Sequence, residues 1–449
     1  MMLDKKITNE KVLRDPIHNF IHIQDQVILD LINTPEFQRL RRVKQLGITS
    51  SVFHGAEHSR FGHSVGAYEI ARQITEHFDQ YYGDVWDSNE RLVTLVAALL
   101  HDVGHGAFSH TFEHLFGTDH EAITREIIMG DTAVHTILAQ VSTDFPNKVA
   151  SVIAKTYENP QVVQLISSQV DVDRMDYLLR DAYFTGTKYG EFDIDRILRT
   201  MRPTPTGIAF DIAGMHAVED YVVSRYQMYL QVYFHPVSRG MEVLLEHILT
   251  RVRELYQASH HNPVPEKDFV GPLLAPLFDE KPLELDDYLK LDDNVFMTYI
   301  NIWQSHPDPI LSDLSQRFLG RRPLKSIAIT NETAPLLGEL EQLVDNAGFN
   351  PDYYTARNDA YDLPYDDYKP NVAKPRTQID FLLADGTHRE LSDLSTLVAA
   401  IKGKASLDQR FFFPKEMLNI EPDELFADTF KTFRSFIRNN ALTTPNPET

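Results

Sequence analysis

The chain has 449 residues, 43% of them hydrophobic and 24% charged, which is enough to fill a large core and more than one domain of a soluble globular protein. Its formal net charge of -22 argues against binding long nucleic acid, whose phosphates the summed field would repel, but leaves room for a small anion in a locally basic pocket. With no cysteine, disulfides, thiolate chemistry and cysteine zinc sites are excluded, and the uncharged run Leu92 to Leu100 is too short to span a bilayer.

The start, MMLDKKITNE, has no apolar signal-like core, so a cytoplasmic protein is expected. Residues 1 to 57 mix short apolar runs, Phe20 to Ile23 and Val27 to Ile32, with the basic segment FQRLRRVKQLG. There Arg39, Arg41, Arg42 and Lys44 read as a solvated helix face, and Gly47 and Gly55 bracket a turn. From Ser59 to Tyr82 apolar residues recur every three or four positions, which predicts an amphipathic helix with Ser59 as N-cap and His63 in its first turn.

The next helix, Glu90 to Asp102, is apolar all round and therefore belongs inside the protein. It delivers His101 and Asp102 at its C-terminal end, where a buried charge needs a compensating partner, and Gly104 and Gly106 suit its exit. Helical period continues over 121 to 142, 146 to 157, 160 to 183 and 214 to 257. After LGRRPLK the character changes to short β-rich runs, SIAI, DYYTA, QIDFLL and QRFFF, with helices at 335 to 346, 391 to 402 and 422 to 440. DLPYDDYKPNVAKP reads as a connection and NPET as a frayed tail. The expected organisation is a helical domain over 1 to 320 and a small α+β domain over 321 to 449.

A His-Asp dipeptide among 19 histidines means little by itself; its placement gives it weight. His63 opens one helix, His101 and Asp102 end a buried one, and a third carries QVDVDRMDYLLRD. In that helix Asp173 and Tyr177 share a face, with Arg180 and Asp181 a turn further on. A surface charge ladder is the alternative reading, but Val170, Val172, Met175, Leu178 and Leu179 make the helix too apolar for an exposed one. Imidazoles and carboxylates from separate helices are the usual material of a metal site in a helical bundle. Mixed nitrogen and oxygen ligands leave magnesium, manganese, iron, zinc and nickel all open as the one divalent ion.

The string HDVGHGAFSH, with SRFGHS before it and DVDRMDYLLRD after it, resembles the HD-domain deoxynucleoside triphosphate triphosphohydrolases of bacteria and vertebrates. KVLRDPIHNFI, FQRLRRVKQLG and RYQMYLQVYFHP extend the resemblance over most of residues 11 to 250. It implies a mainly α fold, an HD-domain helical bundle, that hydrolyses dNTPs to deoxynucleoside and inorganic triphosphate. It places the metal ligands on His63, His101, Asp102 and Asp173, the proton donor to the leaving 5' oxygen on His110 with Glu113 orienting it, and phosphate contacts on His105 and His120. Arg60, Arg174 and Arg225 fall at the triphosphate with Tyr177 also on the substrate side, Gln45 and Asp181 at the sugar 3'-hydroxyl, and Leu46 and Tyr233 against the sugar. Regulated members bind a guanine nucleotide, dGTP or GTP, at a subunit interface; the matching positions are Lys11, Val12, Asn33, Gln38 and Arg41, and a homotetramer is implied. The chain departs from the vertebrate pattern in three places: Glu113 stands for an aspartate, Arg174 for a lysine, and Asn33 for an aspartate that accepts from the guanine edge. Another HD activity, a 5'-nucleotidase or phosphodiesterase, and a non-catalytic nucleotide sensor remain alternatives.

Overall fold

The structure, a computed structural model, describes residues 6–261, 269–279, 283–362, 378–402, 406–420 and 424–444. Most of the connection DLPYDDYKPNVAKP, the NPET tail and the side chain of His110 lie outside the described part.

The chain opens with an antiparallel hairpin, β1 (Lys6–Asp15) and β2 (Asn19–Asp25), in register from Asp15↔Asn19 to Lys11↔Ile23. Asp15 closes the turn, its Oδ1 accepting the backbone N–H of Ile17 at 2.9 Å and of His18 at 3.0 Å. Helices α1 (Gln26–Ile32) and α2 (Pro35–Arg39) follow, α2 started by the Thr34 cap and Pro35 at its first position. The basic segment is not a uniformly solvated face. A 3₁₀ turn over Leu40–Arg42 leaves Arg41 and Arg42 exposed, while Arg39 points inward at 2% exposure. Arg39 Nε donates to the Leu291 carbonyl at 3.0 Å and Nη1 to that of His105 at 2.8 Å.

Next come α3 (Arg60–Tyr81), α4 (Arg91–Leu100), α5 (His110–Phe116), α6 (His120–Met129), α7 (Ala133–Val141), α8 (Phe145–Ile153), α9 (Pro160–Ile166) and α10 (Val172–Thr185). Helix α4 is buried from Val93 to Leu100 and packs on α3, α8 and α9, as its uniform apolarity predicts. Two long expected helices are each split by a new cap. Gly130 ends α6 and Thr132 starts α7 by accepting the His135 N–H. Asp171 starts α10, accepting the N–H groups of Arg174 and Ser168, both at 2.8 Å. Periodicity does not register such a break, because the apolar stripe resumes on the other side of it.

Beyond α10 lie α11 (Ile194–Thr200), the hairpin β3 (Met201–Thr204) and β4 (Gly207–Asp211), and α12 (Met215–Met228), which a π-helical turn over Tyr229–Tyr233 separates from α13 (Pro236–His261). The rest comprises α14 (Gly271–Phe278), α15 (Leu285–Tyr288), α16 (Asp293–Trp303), α17 (Pro309–Leu319), β5 (Lys325–Ala328), α18 (Leu337–Asn346), α19 (Pro351–Tyr354) and β6 (Ala356–Asp362). It ends in β7 (Asp380–Leu382), β8 (His388–Glu390), α20 (Leu391–Leu394), α21 (Thr396–Ile401), β9 (Ser406–Phe413), α22 (Ala427–Ser435), β10 (Ile437–Arg438) and β11 (Ala441–Leu442). In DYYTA, expected as a strand, Asn350 caps and Pro351 opens a helical turn, so the strand begins only at Ala356.

The chain forms two compact units that do not follow a single break near residue 320. Among the described residues, the first comprises 6–229, 284–293 and 378–402; the second comprises 230–261, 269–279, 283, 294–362, 406–420 and 424–444. QIDFLL, read as part of a C-terminal domain, returns to the first unit as β7, pairing in parallel with β4 in the sheet β3-β4-β7-β8. The second unit has a five-stranded sheet of order β10-β11-β5-β9-β6, with Phe411, Phe412 and Phe413 of β9 buried. Among the described residues no helix is long and apolar enough to cross a membrane.

Candidate metal centre

The first turn of α3, the end of α4 and the first turn of α10 bring four side chains together. His63 Nε2 lies 3.2 Å from His101 Nε2, 3.1 Å from Asp173 Oδ1 and 3.7 Å from Asp102 Oδ2. His101 Nε2 lies 3.6 Å from Asp173 Oδ1 and 3.4 Å from Asp102 Oδ1. Ligands about 2.1 Å from a common cation and spread at octahedral or tetrahedral angles are about 3.0–3.4 Å apart, so these spacings suit one small divalent ion.

Hydrogen bonds on the far side of each ring fix which nitrogen faces the cluster. His101 Nδ1 donates to the Ala98 carbonyl at 2.8 Å, and His63 Nδ1 donates to Asp176 Oδ2 at 2.8 Å. Both Nε2 atoms therefore face the two carboxylates, where a divalent ion, or without it a proton on His63, balances their charge. Burial disfavours a charged His63, yet its hydrogen bonds to Asp173 and Asp176 overcome this and raise its pKa to about 10. Burial likewise opposes charge on Asp173, and the two imidazoles hold it well below the usual carboxylate range.

Asp102 also faces a second group. His105 Nε2 lies 3.3 Å from Asp102 Oδ1, and the His105 and His120 rings stack with centroids 3.8 Å apart. Asp102, His105 and His120 have donor spacings that could hold a metal of their own, but Arg60 is ion-paired with Asp102 through Nη1. A guanidinium at that carboxylate repels a second dication and favours an anion. Burial, and then the charge of Arg60, keep His105 well below its ordinary pKa and so neutral. Burial opposes charge on His120 too, but Glu113 raises it, accepting from His120 Nδ1 at 2.6 Å and from its backbone N–H at 2.8 Å. Arg60, neutral His105 and His120 thus form a group beside the metal-facing cluster whose charge suits an anion better than a second metal ion.

The loop from α4 to α5 is built closely. A Cβ on Gly104 would lie 2.4 Å from the His120 carbonyl oxygen, so only glycine lets α6 approach there. Phe108 and Ser109 both have φ near +54°, a conformation that costs non-glycine residues about 1–3 kcal/mol each. Asp293 offsets it by accepting the Phe108 N–H at 2.9 Å, and Ser109 Oγ donates to the Lys44 carbonyl at 3.1 Å and accepts from Arg60 Nε at 3.0 Å. His110 follows directly as the first residue of α5, and its side chain lies outside the described part. Glu113, expected to orient His110, is placed against His120.

Tyr177 and Arg174 lie on α10 with Asp173. The Tyr177 and His63 rings are 6.4 Å apart, and burial raises the Tyr177 hydroxyl pKa. Arg174 is ion-paired with Asp171 within the first turn of α10. The stretch 43–46 runs antiparallel to 58–60: the Gln45 N–H donates to the His58 carbonyl at 3.0 Å and the Arg60 N–H to that of Val43 at 2.9 Å. Gln45 Oε1 is buried without a hydrogen-bond partner, and Leu46 is half-buried beside it. Asp181 is buried and accepts from His58 Nε2 at 2.7 Å. Arg225 is buried with its guanidinium 5.4 Å from the Tyr229 ring centre, and Tyr233 is half-buried in the second unit.

Of the expected effector residues, Asn33 caps the end of α1, Gln38 is on α2 and Arg41 is in the 3₁₀ turn after it. Gln38 donates to the Ile32 carbonyl at 2.7 Å and accepts from Arg41 Nε at 2.9 Å, while Arg41 lies 3.5 Å above the Phe61 ring. Lys11 and Val12 are exposed on β1. The sequence reading missed His18, His58 and Asp176. Asp176 had a signal, since it precedes Arg180 by four residues and follows Asp173 by three, as a buried ion pair beside a ligand would.

Comparison with known proteins finds the HD domain family over residues 60–181 and its HD associated region over 192–270. The chain is 50% identical over 418 residues to the uncharacterized protein YwfO of Bacillus subtilis, covering 92% of this chain and 94% of that one. It is 29% identical over 305 residues to the deoxynucleoside triphosphate triphosphohydrolase SAMHD1 homolog of Dictyostelium discoideum, covering 64% of this chain and 58% of that one. Among solved structures, a phosphohydrolase from Bacteroides thetaiotaomicron superposes with a TM-score of 0.76 at 26% identity, over 91% of this chain and 100% of that one.

Proposed function

The chain belongs to the HD-domain phosphohydrolase family, and from that premise we propose that it hydrolyses deoxynucleoside triphosphates to deoxynucleoside and inorganic triphosphate. The observation that carries this reading is the junction at Asp102, where a four-ligand cluster meets Arg60, His105 and His120. A phosphate held there has a cation on one side and neutral or cationic donors on the other. The substrate class follows the Dictyostelium discoideum relative, a deoxynucleoside triphosphate triphosphohydrolase homolog.

Bound between His63, His101, Asp102 and Asp173, a divalent ion would acidify a water and neutralise charge on a phosphate. The chain's own residues supply the rest. Arg60 donates hydrogen bonds to phosphate oxygens, neutral His105 packs beside them, and His120, held by Glu113, adds positive charge as the leaving group departs. His110 is the assigned proton donor to the 5' oxygen, at the end of the strained Phe108–Ser109 segment. Arg174 and Arg225 neutralise the outer phosphates. Asp181 accepts the one proton of the sugar 3'-hydroxyl, and the Gln45 amide NH2 donates to that hydroxyl's oxygen. Leu46 would pack against the sugar. Activation by dGTP or GTP at Lys11, Val12, Asn33, Gln38 and Arg41 in a homotetramer belongs to the same proposal.

Phosphorus NMR of a dNTP digest tests it. Intact triphosphate as the first phosphorus product is expected; orthophosphate or pyrophosphate first would instead favour a 5'-nucleotidase or phosphodiesterase-like activity.

A further inference from the structure

The four metal-facing residues come from α3, α4 and α10, but the support of His63 reaches back to the start of the chain. Asp176 carries all of it. Its Oδ2 accepts from His63 Nδ1 and from Arg180 Nε, both at 2.8 Å; its Oδ1 accepts from His18 Nε2 at 2.7 Å and from Arg180 Nη2 at 2.9 Å. Arg180 is held on its other edge by Asp15, with Nη1 to Oδ2 at 2.9 Å and Nη2 to Oδ1 at 3.3 Å. Asp15 and His18 are the two ends of the turn between β1 and β2, tied to each other by the His18 N–H.

Every lone-pair position of the Asp176 carboxylate is thus filled, and the carboxylate has no free rotation. The side chains are sealed from water: Asp176 is 0% exposed, Arg180 2%, and His18 and Asp15 7% each. The packing leaves no slack, since a Cβ on Gly66, three residues after His63, would lie 1.9 Å from Asp176 Oδ1. A carboxylate that accepts from the far nitrogen of a metal-binding imidazole sets the ring's tautomer and orientation and raises its basicity. What positions that carboxylate therefore acts on the metal.

We propose that the turn of the N-terminal hairpin is a working part of the metal centre, with His18 and Asp15 positioning His63 for the cation through Asp176 and Arg180. Without the His18 donor, Asp176 Oδ1 keeps only its bond from Arg180. The carboxylate can then pivot, and the His63 ring with it. The hairpin itself is mostly exposed along β1, so this is a link from a peripheral element to the ligand shell.

The test is equilibrium titration of the full chain with manganese(II) alone, so that its outcome does not depend on which nucleotide is hydrolysed. His18→Leu keeps the volume and removes the donor; His18→Gln keeps a donor nitrogen at similar reach. Manganese affinity is expected to fall about tenfold or more in H18L, as for other partners of metal-bound histidines, and to stay within about threefold of wild type in H18Q. Unchanged affinity in a folded H18L, or equal losses in both variants, would overturn the proposal. If H18L does not fold, Asp15→Asn carries the test: weaker manganese binding supports the proposal and unchanged binding overturns it. A hairpin with a structural role alone would lower the melting temperature of H18L and leave the affinity of its folded form where it was.

Discussion

Two clusters of histidine and carboxylate share Asp102, and residue type alone does not distinguish them. His63, His101 and Asp173 form one; His105 and His120 form the other, and both groups place donor atoms at metal-binding distances. They differ in what stands behind them. Behind the first, Asp176 and the Ala98 carbonyl take the Nδ1 protons, so the Nε2 atoms converge on one point. Behind the second, Arg60 occupies Asp102, and Glu113 holds His120 from the side. The first therefore calls for a cation and the second for an anion. Charge partners one residue further out decide the chemistry of otherwise similar ligand sets.

The largest test of this contrast is metal stoichiometry. Wild type is expected to bind one manganese(II) per chain, and His101→Ala to abolish both that binding and turnover. Two ions per chain by elemental analysis, or full activity in H101A, would break the distinction. A smaller loss is expected at Arg60. Arg60→Met should keep one bound ion while kcat falls by about 10²–10³, the usual cost of losing one charged donor to the reacting group. If the variant instead gains a second ion, Arg60 was what kept metal out of the second cluster, which would sharpen the comparison further.

The smallest effect concerns the strained loop that joins the clusters. Burial raises Asp293 to about 6, against the backbone N–H bonds from Lys44 and Phe108 that favour its charged form. A carboxyl with a raised folded pKa binds its proton more tightly in the native state than in the unfolded chain. Its contribution to stability is thus fully present below pH 4 and is lost as pH rises to about 6, a span worth on the order of 2–3 kcal/mol. Replacing Asp293 by Asn should flatten that part of the melting temperature's pH dependence. An identical slope in wild type and variant would mean that Asp293 titrates normally.

Much of the first cluster was legible from residue patterns, because its signals are local. The apolar run ending at Leu100, the adjacent His101 and Asp102, and the helical spacing around Asp173 each need only a few neighbours to be recognised. Roles in the second cluster were less accessible. His120 was expected at the phosphates, but not its pairing with Glu113, which depends on how α5 turns back toward α6. Arg39 shows the same limit: it reads as one of four surface cations, yet it is buried and donates to a carbonyl 66 residues away, in the loop that carries His105.

The sequence by itself determined the mainly helical class and the buried position of α4, since helical period and apolar content act over a few turns, while the full candidate ligand set came through the family resemblance. Tertiary structure alone decided that β7 and β8 leave the C-terminal region to join β3 and β4, and that His18 supports Asp176 across 158 positions. Both depend on pairing between distant segments. The free energy of such contacts is set by complementary hydrogen-bonding groups meeting in space, and a local pattern carries no record of which groups will meet.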